Sequence, residues 1–74
     1  MQTISKDTLK VGVRYDIVDP FDRRYHFENV TFDRLQQKDE NFLSEHAVFT
    51  QEGKEDLCIM VGALKNLSFF IHYN

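Results

Sequence analysis

Apolar and polar residues alternate from Val11 to Ile17. Val11, Val13, Tyr15 and Ile17 share one face, and Gly12, Arg14 and Asp16 share the other. A period of two over this length predicts a half-buried β-strand. It stops at Asp19-Pro20-Phe21-Asp22, where proline lacks a donor and Asp19 suits a turn. Residues 23–36 form the longest extended candidate, but its pattern breaks. Tyr25 and Phe27 share one parity, whereas Val30 and Phe32 share the other. A β-bulge or bend near Glu28-Asn29 restores the phase, and asparagine tolerates the left-handed conformation that some bulges need. Tyr25 and Phe27 are thereby assigned to the core.

Gln36 to Asn41 is polar and reads as a loop. Phe42 to Thr50 is the third predicted strand, with Ala47 and Phe49 on one face and His46 and Val48 on the other. Gln51-Glu52-Gly53-Lys54 is a hairpin turn in which Gly53 supplies a positive φ. Leu57, Ile59 and Val61 alternate with Cys58 and Met60 in a fourth strand that is apolar on both sides. Gly62 to Asn66 breaks it as a short helical turn. Leu67, Phe69, Ile71 and Tyr73 then alternate with Ser68, Phe70 and His72 in a fifth strand. Ahead of the first strand, Ser5 is a candidate N-cap for a short helical turn over Lys6 to Lys10, and Leu9 is placed to plug one end of a core.

No stretch between strands is long enough for a crossover helix, so a parallel βαβ sheet is excluded. The expected fold is mostly β: a small five-stranded antiparallel barrel with a short N-terminal helical turn. Curling closed would remove the sheet edges. The layout resembles that of small Src-homology-like and Sm-like barrels in its entry turn, its bent second strand and its helical turn before the last strand. The resemblance is one of architecture, carried by no motif.

Seventy-four residues make one domain, spanning 1–74. A chain this short buries only about 60% of its unfolded surface. Its one cysteine, Cys58, permits no internal disulfide. Stability must come from the seven Phe, three Tyr and the aliphatic residues, or from another chain. The net charge is −3, and residues 37–56 hold six acids and two bases, a net of −4. That acidic middle argues against nucleic-acid binding, which needs a basic footprint. No apolar run approaches the roughly 18 residues that cross a bilayer. No secretory pattern opens the chain, so the expectation is a cytoplasmic protein without membrane contact.

Candidate chemistry is sparse. Cys58 lies inside an apolar strand and reads as a small core residue rather than a nucleophile. His26, His46 and His72 stand in no metal-ligand spacing. Asp16, Asp19 and Asp22 recur every third residue but lack the glycine and closing glutamate of a calcium loop, so Asp19 reads as a turn cap. No catalytic residue, metal site or cofactor is expected, and no enzyme activity.

Two features point to binding. Phe21, Asp22, Arg23 and Arg24 put an aromatic ring and two guanidinium groups on a turn, a hot-spot composition for protein contact. The alternative is that Phe21 folds back as a cap while the arginines pair with Asp19 and Asp22. The fourth and fifth strands are apolar on both faces, more than a five-stranded monomer readily buries. Met60, Phe70 and His72 are therefore placed on a partner or self-association interface formed by these strands, the alternative being a curved barrel that encloses both faces. The expected function is a non-enzymatic protein-binding module: a small regulator, inhibitor or adaptor of a larger protein, of the kind found among bacterial or viral accessory proteins. Two rivals are an Sm-like RNA binder, using Tyr25, Phe27 and Tyr73 with Arg14, Arg24 and Arg34, and a homo-oligomer holding a small molecule between subunits at Phe70 and His72.

Overall fold

The computed structural model describes residues 4–73. Five strands are present: β1 (Arg14–Val18), β2 (His26–Gln36), β3 (His46–Thr50), β4 (Leu57–Met60) and β5 (Ser68–Ile71). A 3-10 turn (Lys6–Thr8) precedes β1 and a 3-10 helix (Val61–Asn66) joins β4 to β5. All neighbouring strands are antiparallel, in the order β4-β3-β2-β1-β5. Among the described residues the ladder ends at β4 on one side and β5 on the other, so the sheet is not closed by hydrogen bonds there. What the structure supports is a five-stranded antiparallel sheet rather than a completed barrel.

The bulge expected in β2 is present. Tyr15 pairs with Val30 and Ile17 with Phe27, so two steps along β1 oppose three along β2. Asn29 sits there with φ 54°. A second irregularity lies further on: Phe32 pairs with Phe49, but Arg34 pairs with Val48. The extra residue is Asp33. Its effect is the same as the first, because Leu35 then pairs with Ala47 and packs against the same core as Phe32. Residues 27, 30, 32 and 35 thus face one way at spacings of three, two and three.

The core follows from this phasing. Tyr15 and Ile17 from β1, Val30 and Phe32 from β2, Ala47 and Phe49 from β3 and Phe69 from β5 form one buried cluster. Leu9 enters from the N-terminal side and Leu64 from the 3-10 helix. Phe49 is at the centre, with ring centroids 6.3 Å from Tyr15, 5.5 Å from Phe32 and 6.2 Å from Phe69. Val48, on the opposite face of β3 with Arg34 and Cys58 as register partners, is buried as well.

Several expectations need correction. The third strand starts at His46, not Phe42; Phe42 lies in the loop and stacks edgewise on the His46 ring at 5.1 Å. Tyr25 falls before β2 and is exposed, because the preceding turn extends through Arg24 and the strand begins only at His26. Val11 is exposed in the turn at Gly12, one turn too early to share the face of Tyr15. Ile71 and Tyr73 are exposed rather than continuing the buried face of Phe69. Cys58 is exposed, since Leu57 and Ile59 are the half-buried residues of β4. At the entry turn Ser5 is the N-cap, as expected; Thr8 Oγ1 accepts from Ser5 N–H, 3.2 Å, and donates to the Ser5 carbonyl, 2.9 Å.

Two outcomes test this account. Phe49→Ala should cost about 3–5 kcal/mol, a large share of the stability of so small a domain, measured by urea denaturation. Asn29→Gly should be nearly neutral whereas Asn29→Val should cost roughly 1–2 kcal/mol, because only the latter strains the left-handed position.

Candidate functional site

The turn between β1 and β2 is pinned by its own side chains. Asp19 N–H donates to the Tyr25 carbonyl, 2.9 Å, closing the loop at its base. Asp19 Oδ1 accepts from Phe21 N–H at 2.8 Å. Asp22 Oδ1 accepts from the Arg24 backbone N–H at 3.1 Å and from Nε at 3.0 Å, while Oδ2 meets Nη2 at 2.8 Å. Arg24 holds the Asp22 carboxyl below its ordinary range. The expected turn-capping role of Asp19 is thus seen, as is an arginine pairing with Asp22. Phe21 does not fold back: it is 93% exposed. Arg23 is exposed beside it.

Asp19 and Tyr25, the two ends of this turn, also line an apolar groove of ≈ 440 Å³. Phe27, Leu57, Ile59 and Met60 form much of its wall, and Ala63 and Leu67 close it from the 3-10 helix and its exit. Met60 is 53% exposed there, and Cys58 lines the same groove. Met60 and the two ends of the turn, Asp19 and Tyr25, therefore line one groove, and Phe21 to Arg24 are carried on the turn between those ends.

Phe70 and His72 belong elsewhere. Since β4 and β5 end opposite sides of the ladder, they do not form a continuous two-strand face. Phe70 pairs with Asp16 on β1 and is 45% exposed. His72 Nδ1 lies 2.7 Å from Asp16 Oδ1. An ionised carboxylate can only accept, so Nδ1 is the donor. The same oxygen accepts from Asn29 N–H at 2.9 Å. Asp16 thereby ties the end of β5 to the bulge in β2. Burial pushes its carboxyl up, but Asn29 N–H and His72 outweigh that, and it is held below its ordinary 3.8.

Glu45 is a second hub. Lys6 Nζ donates to its Oε1 at 2.9 Å, Gln37 Nε2 to its Oε2 at 2.6 Å, and Val61 N–H to its carbonyl at 3.0 Å. Lys6 and Gln37 hold its carboxyl low, and Glu45 raises Lys6 in return. Neither hub was singled out by sequence. Asp16 was weighed only as a metal ligand with Asp19 and Asp22, and the structure gives each of the three separate protein partners. Among the described residues no group of three or more His, Cys, Asp or Glu could hold a metal ion, and no helix is long and apolar enough to cross a membrane. His46 Nδ1 donates to the Ser44 carbonyl at 2.8 Å, and His26 lies 3.6 Å from Glu28. Of the arginines proposed to meet RNA, Arg24 pairs with Asp22 and Arg34 with its neighbour Asp33.

The chain matches no protein-family model, no curated protein and no solved structure.

The depressed carboxyl of Asp16 has a defined pH consequence. A group whose folded value lies below its unfolded one stabilises fully above the unfolded value and loses that contribution as pH falls through the folded one. Asp16→Asn should therefore be less stable than wild type at pH 7 and should lose less stability on acidification below about pH 4, as read by thermal melts across pH.

Proposed function

We propose that this chain is a non-enzymatic protein-binding module, acting as a small regulator, inhibitor or adaptor of a larger protein. Its curved sheet is read as a barrel of Src-homology-like or Sm-like layout. The observation that carries the reading is the exposure of Phe21 on a turn held by Asp19 and Asp22, whose two ends, Asp19 and Tyr25, line an apolar groove. The backbone that presents the ring is already ordered before binding, which lowers the cost of association. Arg23 and Arg24 flank it with donors for a partner's carboxylates or carbonyls. Met60 and Tyr25 add apolar surface in the groove that the ends of the turn reach.

The test is capture of a partner from the native host on the tagged chain, followed by variants. Phe21→Ala and Arg24→Glu should each weaken the captured interaction by roughly 30-fold or more while leaving the far-UV circular dichroism unchanged, as befits a hot spot on an exposed turn. Recovery of RNA alone, with salt-dependent affinity, would displace this reading in favour of a nucleic-acid binder.

A further inference from the structure

Among the described residues β4 and β5 terminate the ladder, and each leaves one edge without a strand neighbour. The hydrogen-bond alternation identifies the backbone groups left there. Val61 N–H donates to the Glu45 carbonyl at 3.0 Å, at the head of the β3–β4 pair. In an antiparallel ladder Ile59 and Leu57 therefore also face β3, and Cys58 turns its N–H and C=O to the open side, as Met60 does its N–H. At the other end, His72 N–H donates to the Arg14 carbonyl at 3.0 Å. Phe70 and Ser68 then face β1, and Ile71 and Phe69 turn outward.

The two edges are alike in being unguarded. β4 reads Leu-Cys-Ile-Met and β5 reads Ser-Phe-Phe-Ile, four residues each, with no charge and no proline. Edge strands that must stay unpaired ordinarily carry such residues. Met60 and Phe70 are partly exposed along them, and Ile71 is 47% exposed. The flanks differ in sign. Glu55 and Asp56 are exposed immediately before β4. Lys10 lines a cavity of ≈ 310 Å³ together with Phe69 and Ile71 of β5. None of these three charges is in an ion pair among the described residues.

We propose that the open edge of β4 is taken by the open edge of β5 from a second copy of this chain. This assignment rests on the protein-binding reading and names the occupant of its strand surface. The strands run antiparallel, with Cys58 opposite Ile71 of the second copy and Met60 opposite Phe69. That direction sets the Glu55–Asp56 end of β4 against the Ile71 end of β5, where Lys10 lies. The contact is head-to-tail. Each joined copy keeps one free β4 or β5, so addition continues until a ring closes or a filament grows. The Phe21 turn, carried by neither edge, is left to the larger partner.

Light scattering across a concentration series on the full chain tests this, with Met60→Lys and Ile71→Lys as variants. Both side chains are exposed, and circular dichroism checks that each variant is folded. Wild type should exceed the mass of two chains. Each variant alone should run as a single chain. An equal mixture should give a two-chain species, because Met60→Lys keeps a working β5 and Ile71→Lys keeps a working β4. Amide exchange at Cys58 and Ile71 should slow only in the assembled state. The assignment is overturned if wild type remains a single chain up to about 1 mM. It is equally overturned if Ile71→Lys alone forms a dimer, which would mean β4 pairing with β4, or if the mixture stays monomeric while wild type assembles. The protein-binding reading fails separately, when Phe21→Ala and Arg24→Glu leave partner capture unaltered.

Discussion

Phe27, Val30, Phe32 and Leu35 all turn toward one core from a single strand. A regular strand cannot do this, because its side chains change face at every residue. Two extra residues in β2, one at each step of three, keep the face constant. Each also bends the strand and increases its twist. β2 can therefore pair with β1 along one part of its length and with β3 along the other, and the sheet wraps a common interior. The first bend is held by a side chain from outside the strand, since Asp16 on β1 accepts the Asn29 N–H.

The interior that this bend encloses is small and aromatic. With no disulfide available to Cys58, cohesion comes from Phe49 among Tyr15, Phe32 and Phe69, capped at the ends by Leu9 and Leu64. Charged groups do the fastening around the outside. Asp16 joins β1, the bulge and the residue after β5; Glu45 joins the entry turn, the long loop and the start of the 3-10 helix. Among the apolar residues that this interior has no room for, Phe21 is left at the turn after β1, and Met60, Phe70 and Ile71 are left along β4 and β5. Those surfaces carry the proposed contacts.

Much of this was legible from alternation. Tyr15 with Ile17, Ala47 with Phe49, and the parity conflict between Phe27 and Val30 located the strands and the first bulge. The second bulge went unread, although Phe32 and Leu35 stand three apart in the same way. No asparagine or glycine marks it, so the conformational signal was missing. Cys58 was misplaced because β4 is apolar at every position; hydrophobicity alone cannot choose the inward face there, and the register with β3 decides it. Tyr25 was misplaced because hydrogen bonds at Asp19 and Asp22 prolong the turn past where strand propensity would begin. At the candidate site, the sequence singled out Phe21 to Arg24 and Met60 without any sign that the ends of that turn share a groove with Met60. Only tertiary folding brings the β1–β2 turn beside β4. It likewise sends Phe70 and His72 away, because chain neighbours β4 and β5 lie at opposite ends of the sheet.

The uneven spacing in β2 also shapes how this segment can change over evolutionary time. Removing or adding a residue at either extra position would invert the facing of every side chain beyond it, so length variation there is far more disruptive than replacement. Descendants of this strand should conserve their count more strictly than their composition, and a comparison that lets gaps slide freely across residues 27–35 would align outward-facing side chains with buried ones.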